Sequence, residues 1–431
     1  MLPDNALNTM NNQTGTPEGA GQGNAARKGR ILLFSYAFPP MQVQMTAAVY
    51  KPMAAIARSG YDVDVLCADS FCPELPLDAS LLPHAERTFG KIDRLRPAGG
   101  FVSRLRSASR VFDRVPDLMT VLRESAYRKL MDMDLSQYDA VMTWSPFHSI
   151  NAVMTRVKKA RPNVKWLAQF SDPWAGNPLE ISRLTKRWNA RNEPRAVAAA
   201  DFIVHSSRYS LDLMMRDQPQ SARGKTEVIA HAYDEALFPQ RPKARNDRIV
   251  LRYAGVLYGR RSPEPLFQAL VRLFNRRPEL RGQLCVEFFG LVPPEMLATE
   301  AATSLPEGTV RAMGNVSFVE SLERMYDADI LLLIEANIRQ NLFLPSKLSD
   351  YIGADTPIVG LTPPGGSEDA MKQLGCWHAR PSDVEGIEKA VEGAVDHVRR
   401  RDGAVWCDQT YRHTFSGKHI AQQFGDILGR L

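Results

Sequence analysis

Along the chain, short apolar runs alternate with longer stretches whose apolar positions recur every three or four residues. The first run is Ile31-Leu32-Leu33-Phe34-Ser35. A helical stretch from Thr46 to Ser59 follows and stops at Gly60, a residue suited to the position just past a helix end. Val63 to Cys67, Ala140 to Thr143, Lys165 to Phe170, Phe202 to His205 and Glu227 to Ile229 read as further strands. A second series opens with Ile249-Val250-Leu251-Arg252-Tyr253. It continues through Leu284 to Phe289, Val310 to Met313, Ile330 to Ile334 and Pro357 to Gly360. Strand-sized apolar runs separated by amphipathic helices predict parallel strands covered on both faces.

Between the two series, Pro239 to Asp247 carries Pro, Arg, Lys and Asn and almost nothing apolar, which predicts a linker. The expected architecture is α/β: two doubly wound Rossmann-like domains, residues 30–238 and 248–408, joined by a linker at 239–247, with parallel sheets facing a central cleft. Residues 409–431 are expected to add an amphipathic C-terminal helix that packs back toward the N-terminal domain. Residues 1–29, rich in Asn, Gly, Thr and Gln, read as a disordered tail. Gly19, Gly21 and Gly23 precede the first strand, whereas a dinucleotide loop follows one. No Gly-x-Gly-x-x-Gly follows any expected strand, which disfavours a nicotinamide oxidoreductase.

Composition narrows the picture. The 431 residues suit two cores better than one. Lys+Arg minus Asp+Glu is 54 − 48 = +6, too small an excess over this length to indicate nucleic acid without a recognised binding motif. The five cysteines form no CxxC pair, which argues against a zinc site or a disulfide framework and for a cytoplasmic setting. No apolar run reaches membrane-spanning length. Between Glu86 and Leu130, however, eleven cations face five acids, and Phe101, Val102, Leu105, Val111, Phe112 and Val115 interleave with them. That mixture predicts peripheral contact with an anionic membrane.

Chemistry concentrates in the second half. Its first strand runs into Ala254-Gly255-Val256-Leu257-Tyr258-Gly259-Arg260-Arg261-Ser262-Pro263. Glycines there let backbone approach a ligand, and two arginines precede a helix start marked by Ser262-Pro263. Guanidinium groups at a helix N-terminus make an anion site. A second segment, Leu344-Pro345-Ser346-Lys347-Leu348-Ser349-Asp350-Tyr351, places Lys347 at a helix start and Asp350 one turn on. A lysine there opposes the helix dipole unless it faces an anion. Lys347 for a diphosphate and Asp350 for a ribose diol is the division of labour a nucleotide-sugar site needs. In the first half, His148 follows the strand at Ala140, and Asp172 precedes Pro173-Trp174 at another strand end.

Together these segments resemble the donor half of GT-B glycosyltransferases, specifically the retaining family-four type (glycosyl transferases group 1). The resemblance runs from Arg30 onward. Phe38-Pro39-Pro40, Ser145-Pro146-Phe147-His148 and Phe170-Ser171-Asp172-Pro173-Trp174 are similar to that family's first-domain loops. The resemblance implies transfer of a sugar, with retention, from a nucleotide-diphosphate donor to a glycan or lipid-linked acceptor in surface polysaccharide or glycoconjugate biosynthesis. It implies that Arg261 and Lys347 hold the diphosphate and neutralise the leaving group, so that neither metal nor other cofactor is required. It implies that Asp350, matching the second Glu of the Glu-x7-Glu motif, accepts hydrogen bonds from the ribose, with Gly255 lining the donor site. Asp172 and His148 are then the catalytic candidates on the acceptor side, beside Arg261 and Lys347 on the donor side. Two departures stand out: Leu342 occupies the position of the first motif Glu, and Met41-Gln42-Val43-Gln44 follow Pro39-Pro40 where the family has glycines. A nucleotide-sugar 2-epimerase and a non-catalytic scaffold of the same fold are the alternatives.

Overall fold

The computed structural model describes residues 27–70, 75–97, 115–145, 147–400 and 403–431. Seven parallel strands form the first sheet: β1 Gly29–Phe34, β2 Tyr61–Ala68, β3 Ile92–Leu95, β4 Ala140–Ser145, β5 Trp166–Phe170, β6 Phe202–His205 and β7 Thr226–Val228. Their order is β3-β2-β1-β4-β5-β6-β7. The central strands are buried along nearly their whole length, as strands covered by helices on both faces must be. Three crossover helices matter for the site: α1 Gln44–Arg58, α2 Ser149–Ala160 and α3 Arg183–Ala199.

The second sheet has six parallel strands: β8 Ile249–Ala254, β9 Leu284–Phe289, β10 Val310–Gly314, β11 Ile330–Ile334, β12 Ile358–Leu361 and β13 Trp377–Ala379. Their order is β10-β9-β8-β11-β12-β13. Helix α4, Glu264–Arg276, follows β8, and α5, Ser346–Gly353, leads toward β12. Both sheets are thus doubly wound, as the sequence pattern indicates. The strand order reverses between β1 and β4 in one sheet and between β8 and β11 in the other, where such sheets open a crevice beyond their carboxyl ends.

Differences from the sequence reading have simple causes. β3 lies inside the stretch read only as a basic patch; it is an edge strand in which Leu95 alone is buried. β13, at the opposite edge of the second sheet, is also short and only part-buried. Gly29 starts β1 and pairs with Tyr61, one residue inside the segment read as tail.

The last helix, α6 Gly417–Leu428, buries Ile420, Ala421, Phe424 and Ile427, the stripe of an amphipathic helix. Ser416 caps its start by accepting from the His419 N–H at 3.2 Å. It lies on α1 and sets Phe424 5.7 Å from Trp144 of β4. One apolar cluster therefore contains α1, α5 and α6 residues together, including Val49, Tyr351 and Phe424. Polar contacts add to this seam. The Ser207 and Ser210 hydroxyls both donate to the Leu342 carbonyl, at 2.6 and 2.7 Å, and Ser349 donates to the Ala232 carbonyl at 2.9 Å.

Candidate active site

The C-terminal wall is built where β8 and β11 end side by side. After β8 the chain turns at Gly255 with φ +141°, a region that side-chain-bearing residues avoid. A Cβ at Gly255 would overlap the Lys347 ammonium. Lys347 comes from the first turn of α5, whose N-cap residue, Pro345, offers no side-chain cap. Its ammonium donates to the Tyr253 hydroxyl at 3.0 Å and lies 4.3 Å from the centre of that ring. Tyr253 in turn donates to the Val256 carbonyl at 3.0 Å. The Arg261 guanidinium lies close enough to the same tyrosine hydroxyl to act on it electrostatically, and sits 4.7 Å over the Tyr258 ring. Two cations thus converge on one phenol. Burial, and then the Arg261 charge, push the Lys347 ammonium down to about 7. Like charges gathered in a half-dry crevice are costly without an anion between them, which is the electrostatic signature of an anion site.

A third group on this wall escaped the sequence reading. Glu335 directly follows β11 and is 2% exposed. One carboxylate oxygen, Oε1, accepts from the Ser367 hydroxyl at 2.7 Å, and Asn341 lies close enough to favour the charged form. Its other oxygen, Oε2, has no partner among the described residues. Burial raises this carboxyl although Arg261 and Lys347 pull against the rise. An unpaired buried carboxylate oxygen costs on the order of 1–3 kcal/mol, and this one lies beside two cations.

Asp350 has a protein partner that the sequence pattern does not announce. Its carboxylate forms a buried ion pair with Lys51, which reaches across from α1 and also donates to the Ser349 hydroxyl at 3.3 Å. Burial raises the Asp350 carboxyl and Lys51 opposes the rise. Lys347 and Asp350, one turn apart, feel each other's charge, while Lys347 donates to Tyr253 and Asp350 pairs with Lys51 of the other domain.

The N-terminal wall is aromatic and neutral. His148 sits just before α2, after Phe147, whose φ of +74° is strained for a residue with a side chain. Its ring stacks on Trp174 with centroids 4.8 Å apart and planes 8° off parallel. Trp174 is 1% exposed and donates to Asn189 at 3.0 Å, so its ring is core, already covered by His148 and Trp188, and not an open sugar platform. Asp172, at the end of β5, is half-buried, and that burial raises its carboxyl to about 6. Two further histidines join this wall unannounced by the sequence. His205 ends β6 and His231 follows β7; His205 Nε2 and His231 Nδ1 both lack partners among the described residues. Burial pushes His148, His205 and His231 down to about 3 each, so all three imidazoles are neutral near pH 7. Among the described residues no three His, Cys, Asp or Glu side chains gather as a metal site would require.

The basic stretch divides. Residues 98–114 lie outside the described residues. Of the flanking cations, Arg94 donates to the Pro39 carbonyl at 2.9 Å, Arg96 pairs with Asp69, and Lys91 and Lys129 both pair with Asp93. Among the described residues no helix is long and apolar enough to cross a membrane.

With this geometry in hand, the comparisons place the chain by fold. No protein-family model matches it, and no curated protein does. Solved structures do. One is Anabaena Alr3699/HepE in complex with UDP and glucose, at TM-score 0.64 and 13% identity, covering 94% of this chain and 100% of that one. Another is a glycosyltransferase from Rickettsia africae, at TM-score 0.62 and 12% identity, covering 94% of this chain and 99% of that one. A putative UDP-N-acetylglucosamine 2-epimerase from Listeria monocytogenes aligns at TM-score 0.57 and 10% identity, over 93% of this chain and 95% of that one. At these identities the likeness is one of architecture: two Rossmann-like domains of the GT-B type.

Proposed function

We propose that this chain is a glycosyltransferase that moves a sugar from a nucleotide-diphosphate donor to a glycan or lipid-linked acceptor, working in surface polysaccharide or glycoconjugate biosynthesis. The carrying observation is the meeting of Arg261 and Lys347 on Tyr253 at the β8/β11 crevice. A diphosphate there would be held by both cations, and its charge as a leaving group would be neutralised by them, the same electrostatic help other sites obtain from a metal. The unpaired Glu335 oxygen, beside Arg261 and Lys347, is suited to a hydroxyl of the donor sugar. Asp350 would exchange Lys51 for the ribose hydroxyls as the donor enters. Across the crevice, Asp172, with its carboxyl raised to about 6, is matched to accept a proton from an acceptor hydroxyl near neutral pH. Neutral His148, stacked on Trp174 two residues beyond Asp172, is suited to orient that hydroxyl. Retention at the anomeric carbon rests on the sequence resemblance alone.

The neighbour solved with UDP and glucose supports a nucleotide-sugar donor for this fold. The epimerase neighbour keeps a second reaction within reach of the same architecture. The test is a panel of nucleotide sugars scored by thermal stabilisation, since a ligand that binds only the folded state raises the melting temperature. The stabilising donor, radiolabelled in the sugar, is then incubated with membrane extract. Label should move to acceptor material only when extract is present. Isomerised nucleotide sugar in the absence of any acceptor would replace this reading with epimerisation, and stabilisation by none of the panel would remove the donor site.

A further inference from the structure

The sequence pattern sends membrane contact to residues 86–130, but the structure draws attention to a different face. Beyond Asp172 and Trp174 the loop into α3 carries Leu179 at 67% exposure, Ile181 at 89% and Leu184 at 44%. Single exposed apolar side chains are ordinary, but three within six residues form a patch. They are held outward by local structure. The Leu179 N–H donates to Asn177 Oδ1 at 2.9 Å, the Ser182 N–H to Glu180 at 2.7 Å, and Ser182 caps α3 through the Thr185 N–H at 3.2 Å.

The helix that follows is cationic. Arg183, Lys186, Arg187, Arg191 and Arg195 are all exposed, and none makes an ion pair among the described residues. The acids of residues 175–199 are Glu180 and Glu193, and Glu193 is 5% exposed with its carboxylate accepting from the Ala175 N–H. Five cations against two acids leave +3 on this segment. Apolar tips leading a basic helix match an anionic bilayer, which takes the tips below its headgroups and the arginines at them. The face is also joined to the crevice: Trp188 of α3 packs 6.0 Å from Trp174, which stacks on His148.

We propose that the 177–184 loop and the exposed side of α3 dock the protein on an anionic lipid surface, turning the acceptor side of the crevice toward the headgroups. Its purpose, delivery of a lipid-linked acceptor, rests on the function proposed above; the binding itself does not.

Flotation of the full chain with phosphatidylcholine vesicles containing or lacking 30% phosphatidylglycerol, without any donor, reads it out. Binding should need the anionic lipid and fall at 0.5 M salt. Leu179→Ser with Ile181→Ser should lower partitioning about tenfold per apolar tip. Arg187→Glu with Arg191→Glu should cost about fivefold or more per residue and abolish the anionic preference. Arg104→Ser with Arg106→Ser, in the alternative stretch, should change little. Parent-like binding by both α3-face variants, or loss confined to the Arg104 and Arg106 variant, would overturn the assignment, as would no vesicle binding by the parent chain. All variants should keep their melting temperature and nucleotide-diphosphate binding, which separates failure here from failure of the donor site.

Discussion

Lys347 gives the sharpest test because its burial makes donor binding depend on protons. With the crevice empty, desolvation and the neighbouring Arg261 lower its ammonium to about 7. A diphosphate against it restores the ordinary environment of a paired lysine, with a pKa at or above about 10.4. Below pH 7 the lysine is charged in both states and binding takes up no proton. Between pH 7 and about 10 the free form is neutral and the complex charged, so each binding event takes up one proton and affinity falls as pH rises. At pH 9, two units above the free value, the loss approaches 100-fold, or about 2 × 1.36 = 2.7 kcal/mol. A nucleotide-diphosphate sugar is the right ligand, since its diester phosphates keep their charge throughout this range. Isothermal titration in two buffers of unequal ionisation enthalpy at pH 8.5 should report close to one proton taken up. Lys347→Met should bind weakly and without pH slope. Equal affinity at pH 7 and 9 with no proton exchanged would refute the placement of this lysine against the diphosphate.

Other expectations follow from the same geometry. Lys51→Met leaves Asp350 buried without its counter-charge and should destabilise the fold by about 3–5 kcal/mol in chemical denaturation, while adding Asp350→Leu should recover most of that; a Lys51→Met protein as stable as the parent would contradict the interdomain pair. Glu335→Gln should lower kcat/KM for the nucleotide sugar about 10- to 100-fold while leaving the affinity for the bare nucleoside diphosphate unchanged; equal losses in both would make Glu335 a general support of the wall and not a sugar contact. Gly255→Ala forces a side chain into φ +141° and onto the Lys347 ammonium, so nucleoside-diphosphate affinity should fall in a protein that still folds; unchanged affinity would mean that Lys347 does not need its present position.

How far the sequence speaks depends on whether a feature is local. The buried strands were legible because Ile31 to Phe34 and Ile330 to Ile334 are unbroken apolar runs, and such runs have few uses other than the middle of a covered parallel sheet. The edge strands β3 and β13 were not, because an edge strand with one or two buried side chains reads as loop. Arg261 and Lys347 were visible as cations at loop-to-helix junctions. Their meeting on Tyr253 was not, since it depends on the adjacency of β8 and β11. Glu335 did carry a signal, a carboxylate directly after five buried apolar residues at the reversal of strand order. Lys51 lies within an otherwise apolar stretch of α1, yet its partner is 299 residues away, and no periodicity encodes such a pairing. Leu179 and Ile181 read as ordinary apolar positions until the fold turned them outward.

The most direct measurement is a crystal structure of the chain with a nucleoside diphosphate. Phosphate oxygens should lie within about 2.7–2.9 Å of both the Arg261 guanidinium and the Lys347 ammonium, in the crevice beyond β8 and β11. A diphosphate bound elsewhere, or held in that crevice with either cation turned away from it, would contradict a donor site built on these two cations.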